Sequence, residues 1–243
     1  MKIFGLDISP DHSGVVCLNE DGSVFDYTYL TTTKKLLEVD PEHAALLSKK
    51  GKDESKDIFR LRRMNEYLEH LMDFERKVST SLFPSYYSIE GYAYRSKTTS
   101  ICQIAELTGY LKHMIFEGGG KIRIHDPLTV KLFATNSGRC LKKDIVEKAA
   151  LWFDIPEGLV KKKQVKKKGF ANKIEEFDGP ATDLADAFFL AKMLYTELRL
   201  RDGSITIGNL SEKERRIFLR VTKAYPVNIL DRPFVCKEET NGL

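Results

Sequence analysis

Apolar and polar residues along 2–10 predict a buried strand that ends in a carboxylate: Ile3, Gly5 and Asp7 share one side, Phe4 and Leu6 the other. Turn residues at 11–14 lead into a second strand over 15–18, and Asn19-Glu20-Asp21-Gly22 makes a hairpin turn into a third over 23–29. Residues 31–56 are polar and weakly patterned, an expected insertion or flap with a short helix near 41–48. A 3.6-residue period over 57–78 predicts a helix whose packing face carries Ile58, Leu61, Met64, Asn65, Leu68, Leu71, Met72 and Glu75. A short strand over 86–90 stops at Glu90, and a helix follows over 98–116, packing through Ile101, Ile104, Ala105, Thr108, Leu111 and Ile115. Ala105 and Gly109 leave a small-residue notch on that helix, which suits either core packing or a dimer seam. Residues 121–125 form a further strand, and helices are expected over 127–133, 141–153, 180–200 and 211–221.

Three leading antiparallel strands followed by alternating helices and strands predict an α/β fold, a mixed central sheet with helices on both faces. The expected organisation is one domain over 1–200, with the insertion at 31–56 and a basic loop at 157–173, and a C-terminal extension over 201–243.

The helix opening at Pro180 carries Asp183 and Asp186, three residues apart and so side by side near its start. Below its first turn the helix is apolar nearly all round, as in a buried element. Two acids at the edge of a core repel each other, and either a cation or a raised pKa relieves the cost. The plain alternative is that they complement the helix dipole on a wet surface. Asp7 and Glu90 end their strands, where an acid also serves simply to cap the next turn. In the expected fold these three places converge. Four carboxylates with no histidine or cysteine among them suit magnesium or manganese. Two such ions clamp the attacking and leaving oxygens of a phosphodiester.

Charge sharpens the picture. Net charge is only +4, but 155–173 holds seven lysines, Lys161, Lys162, Lys163, Lys166, Lys167, Lys168 and Lys173, against the single acid Glu157. Such concentration points to a polyanion, against the alternative of a solvated loop. Four scattered cysteines without a CxxC pair fit reduced thiols and a cytoplasmic setting. No apolar run approaches a membrane span, and no signal peptide is expected.

The runs Gly5-Leu6-Asp7-Ile8-Ser9-Pro10, Ile89-Glu90, Ile104-Ala105-Glu106-Leu107-Thr108-Gly109, Pro127-Leu128-Thr129-Val130-Lys131, Lys143-Asp144-Ile145-Val146 and Asp183-Leu184-Ala185-Asp186-Ala187 occur in one order and spacing. In that order the chain resembles the RuvC family of Holliday-junction resolvases, within the RNase H-like fold. The resemblance covers about 1–30 and 85–195. It implies a crossover-junction endodeoxyribonuclease in which Asp7, Glu90, Asp183 and Asp186 hold two magnesium ions, with manganese as a substitute. It also implies basic residues near the scissile phosphate at Lys131 and at Lys143 or Lys142, a homodimer through the helix 98–116, and four-way DNA junctions as the partner. The alternative for both lysine positions is an ordinary exposed helix lysine. The longer 31–56 stretch, the lysine-rich loop and the tail depart from the bacterial pattern and look more like a viral or phage member, which would act in the host cytoplasm.

Tyr92 and Tyr94 follow Glu90 and offer rings to an unpaired base, or pack against the next helix. Two other classes compete with a nuclease. One is a non-catalytic branched-DNA-binding module, against which the presence of all four acids argues. The other is an actin-like sugar kinase, for which a second phosphate loop is missing.

Overall fold

A computed structural model describes the chain except for residues 80–84, 92–99, 139, 166–173 and 225–243. Strands β1 (Ile3–Asp7), β2 (His12–Leu18) and β3 (Val24–Thr31) form the expected antiparallel meander. Helix α1 (Lys35–Val39) and strand β4 (Ala44–Leu46) follow, then helix α2 (Lys56–Val78), strand β5 (Tyr86–Glu90), helix α3 (Ser100–Glu117) and strand β6 (Lys121–His125). Helices α4 (Pro127–Thr135) and α5 (Lys142–Ala149) lead to a hairpin of β7 (Lys161–Val165) and β8 (Ile174–Asp178), then helices α6 (Pro180–Arg201) and α7 (Glu212–Ala224). The main sheet has the order β4-β3-β2-β1-β5-β6, with β5 and β6 parallel to β1.

Alternation along the strands gives each face its own core. Phe4, Leu6, Val15, Cys17, Tyr87 and Ile89 pack against α2 and α3. Ile3, Val16 and Leu18 pack against α6, with α4, α5 and α7 around it. Helix α6 is buried nearly all round, as its composition predicts. It lies almost in contact with the sheet backbone: a Cβ on Gly5 would stand 1.9 Å from the Ala187 carbonyl oxygen, and one on Gly14 2.5 Å from the Asp183 carbonyl carbon. A buried network ties its far end to the sheet. Arg123 Nε donates to Glu197 Oε2 at 2.9 Å, and His125 Nδ1 lies 2.8 Å from Ser88 Oγ.

Three sequence expectations need correction. The helix expected at 41–48 is absent; 44–46 instead adds β4 to the sheet edge, parallel to β3, with Leu47 buried beside it. The lysine loop is in part a strand. Lys161 stands opposite Asp178 and Lys163 opposite Glu176 across β7 and β8, and Lys163 reaches diagonally to Asp178 at 2.8 Å, in a hairpin with no apolar alternation to announce it. Helix α2 has the right period but a different phase. Arg63, Tyr67, Leu71, Phe74 and Val78 are buried, whereas Ile58 and Leu61 are about 60% exposed. Tyr67 and Phe74 bring more area to the sheet than Ile58 and Leu61. Arg63 is drawn in by the carbonyls of Ser48 and Pro10, at 2.9 and 3.0 Å.

Candidate metal centre

The strand registers bring the acids together. Leu6 pairs with Ile89, so Asp7 and Glu90, one residue further on adjacent parallel strands, end side by side. Neighbouring strands lie about 4.8 Å apart. Both acids share the face of Gly5 and Ser88, the face that α6 covers. Asp7 also pairs with Gly14 of β2, and Gly14 lies directly beneath Asp183. Gly179, at φ +88°, turns the chain into α6, and Pro180 occupies its first turn. Asp183 and Asp186 therefore start the helix above the ends of β1 and β5.

The electrostatics follow from that placement. Burial holds Asp7 well above the ordinary carboxylate range, and Asp183, Asp186 and Glu90 push it further. Asp186 is pushed up to about 7, first by burial and then by the Glu90 charge. Burial also raises Glu90. Asp183 is 3% exposed, and its Oδ2 is shut off from solvent without a well-aligned hydrogen bond. Hard oxygen donors that repel one another, one of them deeply buried, fit a divalent cation chemically. They do not form a closed cage: among the described residues, no three His, Cys, Asp or Glu side chains stand ready around a single ion.

Two cations face the acids. Lys131 of α4 offsets the charge repulsion on Glu90 and Asp186, and Lys142 of α5 offsets it on Asp7, Glu90 and Asp186. The Lys142 backbone N–H donates to Glu176 Oε1 at 2.8 Å, and its Nζ lies 3.4 Å from Thr182 Oγ1. Lys143 is directed elsewhere, its Nζ 3.3 Å from Glu175 and 3.7 Å from Glu147. Lys161, Lys162 and Lys163 stand exposed on β7, with Lys163 bound to Asp178 at 2.8 Å. Lys166, Lys167, Lys168, Tyr92 and Tyr94 lie outside the described residues.

His12 escaped the sequence reading. Two residues before Gly14 on the same face of β2, it meets Asp183, its Nδ1 2.6 Å from Oδ2. That contact raises the imidazole pKa, against the opposing effect of burial. The available signal was register: once Gly14 lies under the helix start, the residue two before it faces the same carboxylate.

Comparison with solved structures matches this architecture. A Thermus thermophilus RuvC structure is 17% identical, with 84% of this chain and 97% of that chain covered and a TM-score of 0.46. T. thermophilus RuvC in complex with a Holliday junction substrate is 12% identical, with 84% and 98% covered and a TM-score of 0.50. The chain has a RuvC-like fold. No protein-family model and no curated protein matches it. The six-stranded mixed sheet flanked by helices is consistent with that fold.

Proposed function

We propose that the chain is a divalent-metal-dependent endonuclease that cuts four-way DNA junctions as a homodimer. The observation that carries this reading is the mutual charge repulsion of acids from β1, β5 and α6 at one end of the sheet. Acids that cost stability where they stand support a functional reason for keeping them. Asp7, Glu90, Asp183 and Asp186 would hold magnesium, or manganese in its place. The metal, when bound, supplies Lewis-acid stabilisation of charge developing on the phosphodiester. Lys142 and Lys131 add fixed positive charge beside the scissile phosphate, a role for which Lys142 is better placed than Lys143. Exposed Lys161 and Lys162 contact the DNA backbone further out. His12 orients Asp183.

The RuvC structure solved with a Holliday junction supports the choice of branched DNA. Support for a dimer through α3 comes from Gly109, which is exposed and leaves open space where a side chain would stand. Sedimentation of the full chain is expected at twice the chain mass, and a monomer at working concentration would remove the dimer.

The test is incubation with four-way junction, flap, duplex and RNA–DNA hybrid substrates, with magnesium and with a chelator. Paired nicks near the exchange point of the junction are expected, only with magnesium. Tight junction binding without nicks would instead support the non-catalytic module. In the same assay His12→Ala is expected to lower the cleavage rate about 10–100-fold, the usual cost of losing a residue that orients a ligand, with junction affinity unchanged. A wild-type rate would remove His12 from the site.

A further inference from the structure

A cavity of about 630 Å³ opens between α4, α5, α6 and α7, away from the acids. Its walls include Trp152, Lys148, Lys192, Tyr195, Arg199 and Lys213. Lys192 lies six residues and Arg199 thirteen beyond Asp186, roughly 9–20 Å along the helix.

Three of the four cations are held by uncharged groups. Lys192 Nζ donates to the Gly22 carbonyl at 2.8 Å and stands 4.1 Å from the Trp152 ring centroid. Lys213 Nζ donates to the Ala134 carbonyl at 3.1 Å, and Arg199 Nη1 donates to the Tyr195 hydroxyl at 3.2 Å. Among the described residues, none of the four has a carboxylate partner. The one acid in the lining, Glu214, accepts from the Ser211 backbone N–H and hydroxyl at 3.0 and 2.6 Å. Burial lowers the Lys192 and Lys213 amines, and Glu214, with Asp21 beside Lys192, offsets that cost only in part. Trp152 is 58% exposed on the same cavity.

Four cations against one acid, around an exposed indole, select a ligand with negative charge and a flat π face. An acidic peptide joins charge to a π face only where an aromatic residue happens to adjoin its acids, and a duplex keeps its base faces stacked away. We propose that this cavity is a second nucleic-acid site, taking one nucleotide of single-stranded DNA with its phosphate among the cations and its base against Trp152. Binding here does not rest on the nuclease reading.

Trp152 is the only tryptophan of the chain, so its emission reports on this cavity directly. The full chain, without divalent metal, is titrated with an oligothymidylate of about ten nucleotides, within the usual span of single-strand sites. Parallel titrations use thymidine monophosphate, inorganic phosphate and a duplex of equal length. Saturable quenching by the oligothymidylate is expected. The Lys148→Ala/Lys213→Ala double variant should weaken it about tenfold or more and flatten its log–log salt dependence by about 0.7 per lysine. No quenching, or equal affinity in the double variant, overturns the site. Equal response to the duplex or to phosphate alone overturns the ligand class. Quenching by the monophosphate at the oligomer's affinity overturns the strand in favour of a free nucleotide. Quenching that persists where junctions are not cut leaves this site standing and removes only the nuclease.

Discussion

Asp186→Asn is expected to abolish junction cleavage while raising the melting temperature of the metal-free protein at pH 8. Asp186 titrates near 7 in the folded chain because it is buried and faces Glu90. An unfolded aspartate titrates near 3.9. Between those values the folded state binds more protons than the unfolded one, so stability falls as pH rises through the window. Above pH 7 the full cost is present, on the order of 2–4 kcal/mol for a shift of about three units. Asparagine keeps the shape and removes the charge, so the variant should melt several degrees higher at pH 8 and no higher near pH 4. Magnesium should raise the melting temperature of the wild type and leave the variant unmoved. Losing a ligand to the proposed ions should cost several kcal/mol of transition-state stabilisation, a rate loss of about 10³-fold or more. Thermal melts at both pH values, beside junction cleavage, test the pair of effects. A variant that is less stable at pH 8 would contradict the electrostatics, and one that cuts normally would contradict the site.

Gly5→Ala is expected to destabilise the protein by about 3 kcal/mol or more, lowering the melting temperature by about 6–12 °C. The new methyl would meet the Ala187 carbonyl oxygen at 1.9 Å and the Ala191 nitrogen at 2.7 Å, both backbone atoms of α6. No side chain can rotate out of the way, so the helix itself must lift from β1. That opens the core beneath Leu184 and Phe188 and carries Asp183 and Asp186 away from Asp7 and Glu90. Cleavage should therefore fall even at temperatures where the variant is folded. Wild-type melting and activity would show that α6 does not lie this close to the sheet.

Much of the candidate site was legible because its residues stand where patterns change. Asp7 and Glu90 end apolar strands, and Asp183 and Asp186 follow Gly179-Pro180 at a helix start. What was not legible depends on partners distant in sequence. Strand β7 has no apolar alternation and is defined by cross-strand pairing of lysines with Asp178 and Glu176. The three residues of β4 are too short to form a period. The phase of α2 turned on Arg63 reaching the Pro10 and Ser48 carbonyls, a contact no periodicity contains. Beside Lys131, the second basic position was narrowed to Lys143 or Lys142, and the carboxylates of Glu175 and Glu147, which draw Lys143 away, separate the two.

The central claim is that carboxylates from β1, β5 and α6 make one divalent-cation site. Calorimetric titration of manganese into the wild type and Asp186→Asn near pH 7, in two buffers of different ionisation enthalpy, tests it most directly. Acids that titrate this high must give up protons to bind a cation, so saturable binding with buffer-dependent heat is expected in the wild type and its loss in the variant. Equal binding by both proteins, or no binding by either, would contradict the claim.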